Sequence, residues 1–169
     1  MSAFGQFSEA AKLYAQHWVV VEAMATEFQK SVDVFLDALY ERIGAIVAPS
    51  QLQQKLVDST RNRYWWLAED DRDRDAYPQL WLDGRLPTIV VPGELRFTAI
   101  APRATGEQLR RLADLATQPA LARFCAKATG RAWSLFTVVV QYPDTDPVES
   151  AAEPIATVLM TLRDAVSAQ

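Results

Sequence analysis

The chain holds one cysteine and one histidine in 169 residues. Cys125 has no second thiol to pair with, so an internal disulfide is excluded. One thiol and one imidazole are also too few donors for a Cys/His zinc cluster. A serine or cysteine triad needs a histidine base, and the single candidate, His17, falls in an apolar helical band, where it reads as a packing residue. No cofactor and no metal are expected. Glycine is scarce as well, with six in the chain; none lies between Gly5 and Gly44, and the first proline is Pro49. Missing too is any apolar run approaching the roughly 18 to 20 residues that span a bilayer. The start, MSAFGQFSEAAK, lacks the basic and apolar regions of a signal peptide, so a cytoplasmic protein off the membrane is expected. Basic residues are in deficit, 17 Lys and Arg against 21 Asp and Glu, for a net charge of −4. That sign argues against a nucleic acid or an anionic membrane as partner.

What is present is a globular composition, 50% hydrophobic and 22% charged. It predicts a single domain over 1–169, with α+β architecture. From Ser8 to Val47 apolar residues recur at helical spacing through Leu13, Val20, Val21, Met24, Phe28, Val32, Phe35, Leu39, Ile43 and Ile46. Ser8 is a fitting N-cap, and Gly44 or Pro49 marks the end. A helix over 8–47 would be on the order of 57 Å long. A compact chain of this length has a diameter of about 40 Å. A straight helix would overhang its domain with an apolar stripe still on it, and stripes of that kind mark interfaces. Either the helix breaks near Ser31 or it packs on a second molecule. Trp18, Leu36 and Tyr40 widen the stripe, which favours two covered surfaces. Asp33, Asp37 and Glu41 lie on the opposite, wet face and read as solvated charges.

After Pro49, QLQQKLVDS (51–59) reads as a short helical segment. Strands are predicted over 64–67, 79–82, 86–91, 95–101 and 133–142. Asp83-Gly84 and Pro92-Gly93 supply turns between them. Trp65 and Trp66 are neighbours in a strand, so they point to opposite faces. The charged run EDDRDRDAYP (69–78) is a loop joining two strands of a meander, its mixed signs discouraging edge pairing with other chains. Thr105 with Gln108 forms a capping box opening a helix. Its face is carried by Leu109, Leu112 and Leu115, and a second segment through Leu121, Phe124, Cys125 and Ala128 closes at Gly130. Strand 133–142 is apolar on both sides, hence central with both sides covered. Asp146, Pro147 and Glu149 open the last helix, and Pro154 is expected to kink it. The order is α-β-β-β-β-α-β-α, a mostly antiparallel sheet of about five strands with helices packed on it.

Two functions fit this order. The first is a non-catalytic protein-interaction module of adaptor, inhibitor, immunity or chaperone type. It would be a homodimer through the first helix with a further, unidentified protein partner. Its interface residues would be Trp18, Val21, Met24, Phe28, Phe35, Leu36 and Leu39 on the helix and Trp65, Trp66 and Trp81 on the sheet. Small acidic dimeric secretion chaperones are similar in this α/β order, a likeness of topology that carries no motif. The second function follows from a resemblance. Helix, three-strand meander, helix, strand resembles the restriction-endonuclease-like core, which binds magnesium through an aspartate and a following Glu-x-Lys. The matching residues here are Asp83, Glu94 and Arg96. The resemblance implies a metal-dependent nuclease or an inactive relative of one. Arg96 departs from the pattern, since guanidinium does not shuttle protons as lysine does.

Overall fold

Ser8 starts the first helix as its sequence suggests. Its hydroxyl accepts the Ala11 N–H at 3.2 Å, and its carbonyl accepts from Lys12 N at 3.0 Å. With no proline and no early glycine, nothing then interrupts the backbone ladder. In the computed structural model α1 runs unbroken over Glu9–Val47, 39 residues, or about 58 Å. Ser31, where a break was the alternative, stays helical; its hydroxyl bonds back to the Glu27 carbonyl at 3.0 Å, as Thr26 does to Glu22 at 2.8 Å. The helix also passes through Gly44 and ends in a 3₁₀ turn, Ala48–Ser50, containing Pro49. Gln51 then takes a left-handed conformation (φ 61°) that turns the chain toward the sheet.

The structure describes residues 8–59, 62–69, 73–83, 93–127, 134–143 and 145–167. They fall into two compact units, Met1–Asp37 and Ala38–Gln169. The first is the N-terminal part of α1. The second contains the end of α1 and a six-stranded sheet. In chain order its further elements are β1 (Gln53–Ser59), β2 (Asn62–Ala68), β3 (Gln79–Asp83), β4 (Glu94–Ile100), α2 (Gly106–Asp114), a single turn α3 (Pro119–Ala122), β5 (Cys125–Lys127), β6 (Ser134–Gln141) and α4 (Pro147–Ser167). The sheet order is β1-β2-β3-β4-β6-β5, and every pairing is antiparallel. This is the α+β fold expected.

Pairing fixes the faces. Leu56 lies opposite Trp65, Trp65 opposite Leu80, Leu80 opposite Ala99, and Ala99 opposite Phe136. Partners across a ladder share a face. Leu67, Leu82, Leu95, Phe97, Val138 and Val140 follow on that face, each at most 2% exposed. Helix α4 packs against β2, β3 and β6 and buries Ile155, Val158, Leu159 and Leu162. The other face is half open: Tyr64, Trp81, Thr98, Thr137 and Val139 are partly exposed, and Arg96 is exposed. Strand β6 is interior as expected, but its second side is not fully covered.

Three expectations change. Residues 53–59 form β1, not a helix: the glutamines and lysine favour helix locally, but the ladder to the aromatic strand β2 outweighs that preference. The helical segment expected through Ala128 stops at Ala122. Cys125 begins β5, because an extended chain there completes the sheet beside Val138 of β6. The strand expected over 86–91 lies outside the described residues, and β3 pairs directly with β4.

Both caps of the later helices form as their sequences imply. Thr105 accepts from Gln108 N at 3.3 Å, while the Gln108 side chain accepts from Thr105 N at 2.8 Å. Asp146 accepts from Glu149 N at 3.4 Å, and Pro154 lies inside α4. The described part of the charged loop joins adjacent strands β2 and β3 and carries three ion pairs, two of them to residues outside the loop. Asp73 caps a 3₁₀ turn (Arg74–Ala76) and bonds Arg103 at 2.6 Å, Arg74 pairs with Asp75 at 3.2 Å, and Glu69 reaches Arg163 on α4 at 2.5 Å.

Candidate functional site

Among the described residues, the surface with the most exposed apolar side chains belongs to the N-terminal part of α1. Leu13, Tyr14, Trp18, Val19, Val20, Val21, Met24, Phe28 and Val34 are exposed, Met24 by 67% and Trp18 by 55%. Single exposed hydrophobics are ordinary, but a run of them on one helix is a patch, and patches mark contacts. His17 is exposed among them. The charges nearby are satisfied on the same helix: Lys12 pairs with Glu9 at 2.6 Å and Lys30 with Glu27 at 2.7 Å. Gln29 donates to Asp33 at 3.0 Å. The Tyr14 hydroxyl donates to Glu22 at 2.5 Å, and that bond to a carboxylate raises the phenol's pKa.

The residues expected at an interface separate into groups. Trp18, Val21, Met24 and Phe28 are exposed, and Phe35 is partly so. Leu36 and Leu39 are buried. On the sheet, Trp65 and Trp66 point to opposite faces as predicted, and both are core residues at 4% and 7% exposure. Trp65 packs on Tyr40, with ring centroids 5.7 Å apart, and Trp66 clusters with Ala68, Tyr77 and Tyr64. Trp81 is partly exposed, and its indole N–H donates to Asn62 at 3.0 Å. Trp-rich strand sequence alone does not separate a core tryptophan from a surface one. The separation needs the register that sets Trp65 beside Leu80.

The residues of the nuclease resemblance lie at one end of two neighbouring strands, Asp83 closing β3 and Glu94 opening β4. Glu94 is 8% exposed, and its carboxylate is engaged on both oxygens, by Arg96 and by Gln141 (2.5 Å). The Arg96 hydrogen bond holds its pKa below the usual carboxylate value. Burial opposes that shift, and the Gln141 bond and the Arg96 charge assist it. Arg96 is thus a structural counter-ion of Glu94. Among the described residues, no three His, Cys, Asp or Glu side chains come together to hold a metal ion. Cys125 is half-buried, and desolvation pushes its thiol up to about 11, far from a nucleophile's range.

One cavity of about 250 Å³ is lined by Tyr77, Pro78, Ala101, Arg103, Gln108 and Leu112, among others. Its volume is below the roughly 300–1,000 Å³ of sites that enclose a drug-sized ligand. Its two charged lining residues are each engaged in an ion pair, Arg103 with Asp73 at 2.6 Å and Asp75 with Arg74 at 3.2 Å, and do not form a catalytic constellation. Sequence reading had no signal for it, since its walls come from separate loops and helices.

Comparison with protein families, curated proteins and solved structures finds no match to this chain. No helix among the described residues is long and apolar enough to cross a membrane.

Proposed function

We propose that this protein is a non-catalytic protein-interaction module that works as a homodimer through α1 and presents a further surface to another protein. The observation that carries the reading is the exposed apolar run from Leu13 to Phe28. Leaving these side chains in water forgoes roughly 1.5–3 kcal/mol for each large one that a partner would bury. Aromatic residues and methionine are also the types enriched at interface cores. This segment carries Glu22 and Glu27 and no Lys or Arg, which speaks for a protein partner over an anionic lipid surface, since such a surface selects Lys- and Arg-rich helices. The half-open sheet face bearing Trp81 and Tyr64 is the place for the second partner, of adaptor, inhibitor, immunity or chaperone type. A cytoplasmic location fits this reading.

Hydrogen exchange at two protein concentrations tests it. If α1 pairs with its twin, amides of residues 13–28 exchange more slowly at high concentration than at low. Protection of β4 and β6 stays the same. Equal, fast exchange of 13–28 at both concentrations would refute the dimer.

A further inference from the structure

The stripe on α1 has a hidden symmetry. Ala11, Tyr14, Trp18, Val21, Ala25 and Phe28 recur with alternating spacings of three and four, the heptad pattern of a coiled-coil seam. In size they alternate irregularly: small, large, large, medium, small, large. Reversing the direction of a second copy about a point between Val19 and Val20 sorts them. Ala11 then faces Phe28 of the second copy, Tyr14 faces its Ala25, and Trp18 faces its Val21. Each pair lies equally far from that point, and each layer joins a larger residue to a smaller one. Layers of even volume pack at native density without voids. A parallel pair cannot achieve this. It would set Trp18 against Trp18 and Ala25 against Ala25, crowding one layer and leaving a gap at the other.

We infer that α1 pairs with α1 of a second copy as an antiparallel two-helix seam centred between Val19 and Val20. This rests on the homodimer reading above and fixes its geometry. Area sets the strength of the pairing. Tyr14, Trp18 and Phe28 are 50%, 55% and 39% exposed. With aromatic side chains worth roughly 150–250 Å² each, they offer roughly 300 Å², and Val21 on the seam with Met24 beside it adds roughly half as much again. Two copies therefore contribute roughly 900 Å², the size of a weak, concentration-dependent pairing. Charge supports the occupant. Glu9 with Lys12 and Glu27 with Lys30 are already paired on their own helix, so the face asks for no strongly charged partner. A near-neutral copy of itself meets that condition.

Spin-label distances in the full-length protein decide the geometry. In a Cys125→Ser background, single cysteines replace Gln16 or Lys30, which both point away from the seam. At 1.5 Å per residue, an antiparallel pair offsets the two labels along the axis by about 10 Å at position 16 and about 31 Å at position 30. With helix axes 8–10 Å apart, the distance at 30 is then roughly 15 Å longer than at 16. Equal short distances at both positions, in a protein whose mass is that of a dimer, would mean a parallel seam. That result overturns this inference and leaves the homodimer standing. Long distances at both in a dimer would place the interface elsewhere and overturn the inference along with the role given to α1. A monomeric mass for the labelled proteins and the unlabelled chain would overturn both.

Discussion

Tyr40 and Trp65 stack with ring centroids 5.7 Å apart and planes 30° from parallel. The same tyrosine trades two hydrogen bonds with Gln54 of β1. Its hydroxyl donates to the Gln54 carbonyl at 3.2 Å, and the Gln54 amide donates to the Tyr40 carbonyl at 2.9 Å. One residue near the end of α1 therefore touches both β1 and β2. Removing only the hydroxyl in Tyr40→Phe is expected to cost about 1 kcal/mol. Tyr40→Ala also opens a cavity beside Trp65 and is expected to cost about 3–4 kcal/mol. Urea unfolding followed by tryptophan fluorescence measures both. A Tyr40→Ala loss no larger than that of Tyr40→Phe would mean the stack contributes little.

Arg163 is 5% exposed on α4 and reaches Glu69 at 2.5 Å, with its guanidinium 5.6 Å from the Tyr77 ring. Taking away the carboxylate weakens the compensation of a buried cation, which is costlier than losing a surface pair. Because Glu69 is itself half exposed, Glu69→Ala is expected to cost about 1–2 kcal/mol, at the lower end for such pairs. Lys30→Ala breaks the solvated pair with Glu27 and should stay within about 0.5 kcal/mol. Denaturant midpoints for the two variants compare them directly, and equal losses would contradict this ranking.

The depressed pKa of Glu94 makes stability depend on pH. Its ionised form is favoured in the folded chain by the Arg96 hydrogen bond above all. The contribution is therefore present above the unfolded pKa, near 4.5, and is lost as pH falls through the lower folded value. Glu94→Gln removes the titrating group. Its stability should fall less than the wild type's between pH 6 and pH 3, read as the shift of the urea midpoint. Parallel losses in the two proteins would show that Glu94 does not set this dependence.

Burial keeps the Cys125 thiol protonated up to about 11, against an ordinary value of 9.0. At pH 8 the thiolate is then about 100-fold scarcer in the folded protein than in the unfolded chain. A thiol reagent should label native Cys125 slowly and the urea-unfolded chain at an ordinary thiol rate. Rapid labelling of the native protein would contradict the burial of β5 at this position.

The elements that could be read in advance were those whose signals are local. Ser8, Thr105 and Asp146 carry capping side chains, and each starts its helix as read. Unbroken three-and-four spacing from Leu13 to Ile46, free of proline, sufficed for α1. Strand β1 was missed because Gln53–Ser59 has helical preferences, and only the partner strand β2 makes it extended. Strand β5 was missed for the same reason: three residues, Cys125–Lys127, are too few to show a period, and their pairing with β6 is what defines them. At the candidate surface, composition singled out tryptophan, but burial depends on which strand lies alongside. Trp65 and Trp66 are core residues, whereas Trp18, on the N-terminal part of α1, is exposed. The engagement of Glu94 by Gln141 joins residues far apart in the chain and left no trace in either's neighbourhood.

The most direct test is the solution mass of the full chain by light scattering across a hundredfold dilution. The account predicts a mass near twice 18.9 kDa at the upper concentrations, falling toward the monomer in a Val21→Glu, Met24→Glu variant that keeps its helical circular dichroism. A wild-type mass of 18.9 kDa at every concentration would contradict it.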